Sequence, residues 1–377
     1  MPERATAHID TTAVVANARM LSRRLQGGSV LCPVVKADAY GHDAGIVASA
    51  LAAAGFKRLA VVSAAEAVRL REAVPDSDIL VMGAMTPGEM AEAIDVDAAV
   101  SVWHPGFLEN AIAHAGRSGR RLRAHVKYDT GMGRLGARDP DLVLAMVERA
   151  VDTDVFAGLW THFATADIFG DPEQEEYFAW QLERFTAMAD DVRARHPDVE
   201  FTVHAANSAA TLREPAAHFD MVRCGIAVYG LDPFQGDARE TGLVPVMRLT
   251  ARVADVKHLA PGDSVGYGRR WQAPEPDGSR IAVIPIGYAD GVRRALSNRG
   301  RVLIRGASFP IVGTISMDNL TVDIGDRTDI RPGDEVVLIG EDRDSGERIT
   351  AEEIARQLDT INYEITCGIG PRVPRRR

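Results

Sequence analysis

The chain has 377 residues, 46% of them hydrophobic and 25% charged, and a formal net charge of -10. That length exceeds one ordinary domain and predicts two, and the acidic balance argues against nucleic acid as a partner, because phosphate contacts need clustered positive charge. No apolar stretch reaches the length of a membrane span, MPERATAHID lacks a signal-peptide core, and three scattered cysteines (Cys32, Cys224, Cys367) make no disulfide framework, so a soluble cytoplasmic protein is expected.

Residues 1–235 repeat one rhythm: a short β-branched run, a polar turn, then an Ala-rich stretch with apolar residues at three- and four-residue spacing. The predicted strands are 30–35, 58–62, 79–82, 98–102, 122–127, 156–161, 201–204 and 220–223. Helices are predicted over stretches such as 44–54, 64–74, 106–116, 141–151 and 175–195. Eight strands alternating with helices match a closed (β/α)8 TIM-type barrel. A doubly wound open sheet is the alternative, but it predicts a Gly-rich dinucleotide turn after the first strand, and GxGxxG is absent there. Residues 236–377 read differently. From about 245, short runs such as MRLTARV, RIAVIPIGY, RVLIRG and DEVVLIG alternate with Gly, Pro and Asp, which predicts a mostly antiparallel β domain. One helix is marked there by Thr350 followed by Glu353, a capping pattern.

Basic residues number 43, yet lysine occurs only at positions 36, 57, 127 and 257. A chain this biased toward arginine keeps lysine where a neutral amine is needed, because guanidinium stays protonated and makes no ready imine. Lys57 and Lys257 read as solvated surface residues. Lys36 closes VLCPVV and opens KADAYGHD, and Lys127 opens KYDTGMGRLG. These two, with His162, His204 and Arg223, fall at or just past the C-terminal ends of predicted strands, the rim where barrel enzymes place their chemistry. The loops after the last two strands carry Asn207-Ser208 and Gly225-Ile226, small residues suited to a phosphate. A lysine beside a phosphate cradle points to pyridoxal 5'-phosphate held as an imine. An arginine such as Arg223 against the pyridine nitrogen would leave that nitrogen unprotonated, weaken the ring as an electron sink and favour return of a proton over transamination. No HxH or carboxylate pair with metal spacing appears on the strands, which disfavours a barrel metallohydrolase.

The blocks VVKADAYGHD, KYDTGMGRLG, THFATAD, HAANSAA, VRCGIAVYGL, VGYGRRW, IPIGYADG, VGTISMDN and TINYEITC follow one another over nearly the whole chain. In that order they resemble bacterial alanine racemase. The resemblance implies a homodimer whose active sites take residues from both subunits, while the charge and the lack of a long apolar stretch predict no nucleic-acid or membrane partner. It also implies interconversion of L- and D-alanine by two-base proton transfer with pyridoxal 5'-phosphate, supplying D-alanine for peptidoglycan. It gives Lys36 as the cofactor lysine and one base, and Tyr267 of the partner subunit as the other. Arg134 would hold the cofactor's phenolic oxygen and the substrate carboxylate, with Lys127 carbamylated to orient it. His162 would pair with Tyr267, and Arg223, backed by His204, would meet the pyridine nitrogen. Tyr40, Ser208, Gly225, Ile226 and Tyr363 would surround the phosphate. Met317 of the partner subunit would offer its backbone N–H to the substrate carboxylate, and Tyr288 with Tyr363 would narrow the entrance.

One position departs from the family pattern: Asp43 stands where glycine usually follows the histidine of the lysine motif, and aspartate is among the residues that tolerate positive φ. Met82, on the third strand, and the entrance residues bear on breadth of substrate. A broader racemase acting on serine, lysine or arginine would need an open entrance. A non-catalytic pyridoxal-phosphate-binding protein resembles only the barrel half, and a decarboxylase of the same barrel type usually carries an acidic partner where Arg223 stands. His42 either contacts the cofactor shell or completes its turn. His8, His104, His114, His196, His218 and His258 read as exposed or helix-end residues, and Cys32 and Cys224 as small core residues.

Overall fold

The computed structural model describes residues 3–377, which form two compact units: Val14–Phe234, and a second made of the residues up to Ala13 with Gln235–Arg377. Strand β1 (Ala5–Ile9) belongs to the second unit, where it pairs antiparallel with β10 (Met247–Arg252), Ala5 opposite Ala251. The barrel therefore starts with α1 (Thr11–Arg24) and β2 (Val30–Pro33). This differs from the single N-terminal block read from the sequence, because the partner of β1 lies some 240 residues away and leaves no local pattern.

The barrel strands are β2, β3 (Arg58–Val61), β4 (Asp78–Val81), β5 (Ala99–Val102), β6 (Ala124–Lys127), β7 (Phe156–Trp160), β8 (Thr202–His204) and β9 (Met221–Cys224). They run parallel in the order β2-β9-β8-β7-β6-β5-β4-β3. A bridge from Val34 to Ala60, with Val35 N donating to Ala60 O at 2.8 Å, links the two ends of that order. The (β/α)8 expectation therefore holds, and all eight predicted strands form. After β2 come α2 (Lys36–Gly41) and α3 (Ala44–Ala53), and then α4 (Ala64–Ala73), α5 (Pro87–Asp95), α6 (Pro105–Ser118), α7 (Pro140–Asp152), α8 (Pro172–Arg195) and α9 (Ser208–Arg213) follow in alternation with the strands. Their starts are explicit in the sequence. Ser63 with Glu66 and Thr86 with Glu89 make reciprocal capping boxes, and Pro occupies the first turn of α5, α6, α7 and α8. Strand centres are buried Val, Leu, Ile and Ala, as parallel strands covered on both faces require.

In the second unit β11 (Asp255–Leu259), β12 (Ser279–Ile284), β13 (Arg301–Ile304), β14 (Ala307–Val312), β15 (Leu320–Gly325) and β16 (Glu335–Glu341) extend the sheet in the order β11-β12-β15-β14-β13-β16-β10-β1-β18. The strands β17 (Arg348–Ile349) and β18 (Arg375–Arg376) pair with β16 and β1; the β1–β18 pair is parallel and the others are antiparallel. Helices α10 (Ala351–Leu358) and α11 (Asn362–Cys367) close the chain's helical part. Thr350 caps α10 as expected, accepting from Glu353 N at 3.0 Å. The Glu353 carboxylate is not turned back to the cap; it grips Arg301 at 2.7 and 2.9 Å. No helix among the described residues is long and apolar enough to cross a membrane.

Candidate active site

Four consecutive residues directly after Lys36 adopt the left-handed conformation: Ala37, Asp38, Ala39 and Tyr40, with φ from 51 to 55°. For L-residues this costs roughly 1–2 kcal/mol each, so the surroundings must enforce it, as they do at strained functional segments. Glu66 is one enforcer. Its Oε1 accepts from Ala37 N at 2.7 Å and its Oε2 from Val62 N at 2.8 Å, so the capping residue of α4 also holds the backbone next to Lys36. Asp38 accepts from Ala44 N, and His42 Nδ1 lies 3.0 Å from both Ala39 O and Tyr40 O. The His42 ring stacks on Tyr229, whose hydroxyl donates to Val34 O at 2.8 Å, so His42 completes the turn. Asp43 has φ +71° and accepts from Ile46 N at 2.9 Å, capping α3 from a conformation that favours glycine.

The other predicted barrel residues gather at the same rim. Cross-strand register sets Lys127, Trp160 and His204 level on β6, β7 and β8. Lys127 Nζ sits 4.2 Å from the Trp160 ring and the Arg223 guanidinium 4.7 Å from it, while His204 stacks on that ring 7° from parallel. Trp160 is thus a shared floor that the sequence reading did not single out. Lys127 is buried, and burial, with repulsion from Arg134 and Arg223, pushes its amine down to about 7. Asp129 partly offsets this, and its carboxylate also accepts from Gly131 N and Gly133 N, shaping the loop that carries the exposed Arg134.

Arg223 has only neutral partners: His204 Nδ1 at 2.9 Å, Thr161 O and Ala205 O at 2.9 Å each, and His162 Nδ1 at 3.3 Å. Burial lowers its guanidinium to about 10, still protonated at neutral pH. Burial first, then the nearby cations, hold His162 well below the ordinary histidine value, and His204 likewise. The loop after β9 is tied to α9, because Ser208 Oγ accepts from Gly225 N at 3.0 Å and from Ala227 N at 3.3 Å. A Cβ on Gly225 would lie 2.1 Å from the Tyr40 hydroxyl, so glycine is required for Tyr40 to reach this loop. Ile226 follows, fully buried.

Tyr267, Tyr288, Met317 and Tyr363 lie in the second unit. The segment 314–317 supports the first three. Thr314 Oγ1 donates to Tyr267 O at 2.7 Å, Tyr288 N to Ser316 O at 3.1 Å, and Ala289 N to Met317 O at 3.0 Å. Val265 anchors the Tyr267 loop against Ile281 and Val312, yet Tyr267 itself is 74% exposed, with Met317 and Tyr288 exposed as well. Tyr363 sits half-buried on α11. Among the histidines, His218 is buried rather than exposed, with Nε2 3.0 Å from Thr211 O. His125 is buried too, and the sequence reading passed it over, although it lies two residues before Lys127 on one strand and so shares its face. Cys32 and Cys224 are core residues, their thiols pushed up to about 12 by burial.

Comparison with known proteins covers the chain end to end. Residues 9–233 match the family model of the alanine racemase N-terminal domain and residues 246–377 that of the C-terminal domain. The alanine racemase of Symbiobacterium thermophilum is 44% identical over 373 residues, 98% of this chain and 96% of that protein. The crystal structure of alanine racemase from D-cycloserine-producing Streptomyces lavendulae superposes with a TM-score of 0.90 at 39% identity, covering 100% of this chain and 97% of that one. That of Bartonella henselae, with covalently bound pyridoxal phosphate, gives 0.85 at 29% identity, covering 100% and 99%.

Proposed function

The chain belongs to the alanine racemase family, and from that premise we propose that it interconverts L- and D-alanine with pyridoxal 5'-phosphate at the barrel rim. The residues present fit that group. An amine (Lys36) stands at the strand end, the missing Cβ of Gly225 lets the Tyr40 hydroxyl reach the loop after β9, and Ser208 ties together the two loops of a phosphate cradle. When bound, the group supplies an electron-withdrawing ring that acidifies the substrate Cα–H.

The observation that carries the reading is Arg223, a charged donor surrounded by neutral acceptors. At the pyridine nitrogen such a donor would keep that nitrogen unprotonated, so the group would draw charge less strongly and favour return of a proton to Cα over transamination. Lys36 and the partner's Tyr267 serve as the two bases, one on each side of Cα, which racemisation requires. His162, held neutral by burial and lying beside Arg223, pairs with the partner's Tyr267 and polarises its hydroxyl. Arg134 would hold the substrate carboxylate, aided by the backbone N–H of the partner's Met317, and Tyr40, Ser208, Gly225 and Ile226 would hold the phosphate. Burial pushes the Lys127 amine down to about 7, and a neutral amine there would add carbon dioxide with release of a proton, giving the carbamate anion that steadies Arg134. The second unit delivers Tyr267 and Met317 to a partner, making the enzyme a homodimer with shared sites and Tyr288 and Tyr363 at a narrow entrance. The enzyme would work in the cytoplasm, supplying D-alanine for peptidoglycan.

Incubation of the cofactor-loaded enzyme with L-alanine in deuterated water tests this, with L-serine, L-lysine and L-arginine in parallel. Loss of optical activity together with deuterium at Cα, confined to alanine, is the expected result. Absence of exchange with every substrate would defeat the reading.

A further inference from the structure

A buried histidine with no part in the proton transfers sits behind Arg223. His125 Nδ1 lies 2.9 Å from His204 Nε2, and His204 Nδ1 lies 2.9 Å from an Arg223 terminal nitrogen. A guanidinium carries only donors, so His204 Nδ1 must accept. A neutral imidazole then keeps its single proton on Nε2, and Nε2 donates to His125 Nδ1. His125 in turn carries its proton on its own Nε2. The polarity reads equally well from the other end. A donor at His125 Nδ1 would force the His204 proton onto its Nδ1, against Arg223.

The barrel is built around this contact. The β6–β7 register shifts between Ala124 and His125, and one level down from Lys127, Trp160 and His204 stand His125, Gly158 and Thr202. Gly158 leaves the passage through which the two imidazoles meet. A Cβ there would lie 2.2 Å from His125 Nδ1 and 2.8 Å from Thr202 O. Burial holds the His125 ring neutral, down to about 4, so it can act as an acceptor across the physiological range. His125 also lines a cavity of about 160 Å³ with Arg58, Asp78 and Arg123.

We propose that His125 is a positioning residue for racemisation, fixing the proton of His204 on Nε2 so that Arg223 is held as a donor at the pyridine nitrogen. The proposal rests on the reading of Arg223 given above. The chain of action is His125 to His204 to Arg223, whose second terminal nitrogen stays on Thr161 O, Ala205 O and His162 Nδ1. Without the acceptor at His125, only the Arg223 contact holds the His204 proton on Nε2, where it would be buried and unpaired, so the Nδ1–H tautomer becomes populated and Arg223 faces a donor for part of the time.

The test compares full-length, cofactor-loaded wild type with His125→Leu, His125→Asn and Gly158→Ala. An asparagine Oδ1 takes about the place of histidine Nδ1 and can accept from His204, whereas leucine fills the space without an acceptor. Three quantities are read: the 15N shifts of His204 in histidine-labelled protein, the position of the visible cofactor band, and kcat and KM for alanine. Wild type and His125→Asn are expected to show the Nε2–H tautomer and similar bands. His125→Leu should show averaged 15N shifts, a displaced band and a kcat lower on the order of tenfold, the equivalent of one buried hydrogen bond, with KM little changed. Gly158→Ala should displace the ring and fall on the same side. A His125→Leu protein with the wild-type tautomer, band and kcat would overturn the proposal, as would His125→Asn losing as much as His125→Leu. Should the leucine variant not fold, an Nδ1–H tautomer of His204 in wild type would still overturn it. A wild type that forms no band and racemises nothing would instead refute the reading of Arg223, while the His204 tautomer would still decide the role of His125.

Discussion

Arg301 in the second unit and Arg223 in the barrel are answered by opposite kinds of partner. Arg301 meets Glu353 in a two-pronged pair at 2.7 and 2.9 Å, adds Glu347 at 2.5 Å, and reaches Arg348 O at 2.9 Å. Arg223 meets two imidazoles and two carbonyls, and among the described residues it makes no ion pair. Opposite charges are paired where the charge serves stability. Around Arg223 they are withheld, so its field remains directed at whatever occupies the rim, and neighbouring amines and imidazoles are driven toward neutrality. Lys127 at about 7 and the lowered His162 and His204 follow from that withholding together with burial.

Arg223→Glu breaks the contrast most sharply. With Arg223 placed as proposed, a carboxylate there would stabilise a protonated pyridine nitrogen and deepen the electron sink. Racemisation should fall by roughly 100-fold or more, the scale for removing one oriented charge at a reacting centre. Exchange with added keto acid should rise above the wild-type background. Assays of D-alanine formation and of keto-acid turnover check both, and an unchanged kcat would show that the sign of this charge is irrelevant.

The barrel was legible because every strand is a short buried run at regular spacing, and its rim was legible because Lys36, Lys127, His162, His204 and Arg223 fall at strand ends. What escaped depends on contacts distant in sequence. Glu66 reads as an ordinary capping residue of α4, and only the meeting of β2 with β3 gives its second oxygen Ala37 N to hold. Nothing local marks Ala37 to Tyr40 as left-handed, since two of the four are alanine. Asp43 was the clue that could be read, a residue tolerant of positive φ in a place that needs it. Gly158 looks like an indifferent strand residue until the His125 ring occupies the space beside it.

Acid sharpens the comparison next, because the two units should titrate in different windows. His125, His162 and His204 are held below 6.5 in the folded state, so the unfolded chain binds more protons once the pH drops below that value. Their contribution to stability is present above about 6.5 and is lost as the pH falls toward 4, by up to about 1.4 kcal/mol per pH unit for each histidine. The paired carboxylates of the second unit are lowered too, but from the ordinary carboxylate range, so they lose their contribution only at lower pH. Asp237 and Glu335 are lowered by hydrogen bonds from Arg348 and Arg248, so their contribution is kept until the pH passes below the ordinary carboxylate range. Hydrogen exchange measured between pH 6.5 and 4.5 should therefore show the barrel loosening first. His125→Asn should flatten the barrel's slope by one histidine.

The smallest effect is expected where charges are paired for stability alone. Glu353→Gln leaves the Arg301 guanidinium one neutral acceptor in place of half of a charged pair, with Glu347, Ser308 and Arg348 O still in reach. Both side chains of the pair are about a quarter exposed, so solvent screens part of the loss. A cost of about 1–2 kcal/mol follows for charge-assisted bonds of this kind, or a fall in Tm of a few degrees for a unit of this size. Alanine racemisation by the folded variant should stay within about twofold of wild type, since the Arg301 partners Glu353, Glu347, Ser308 and Arg348 O all belong to its own unit. A calorimetric scan paired with a kcat measurement separates the two quantities. A large drop in kcat at unchanged Tm would mean that the charges of the second unit also serve the chemistry, and the division between paired and unpaired arginine would fail.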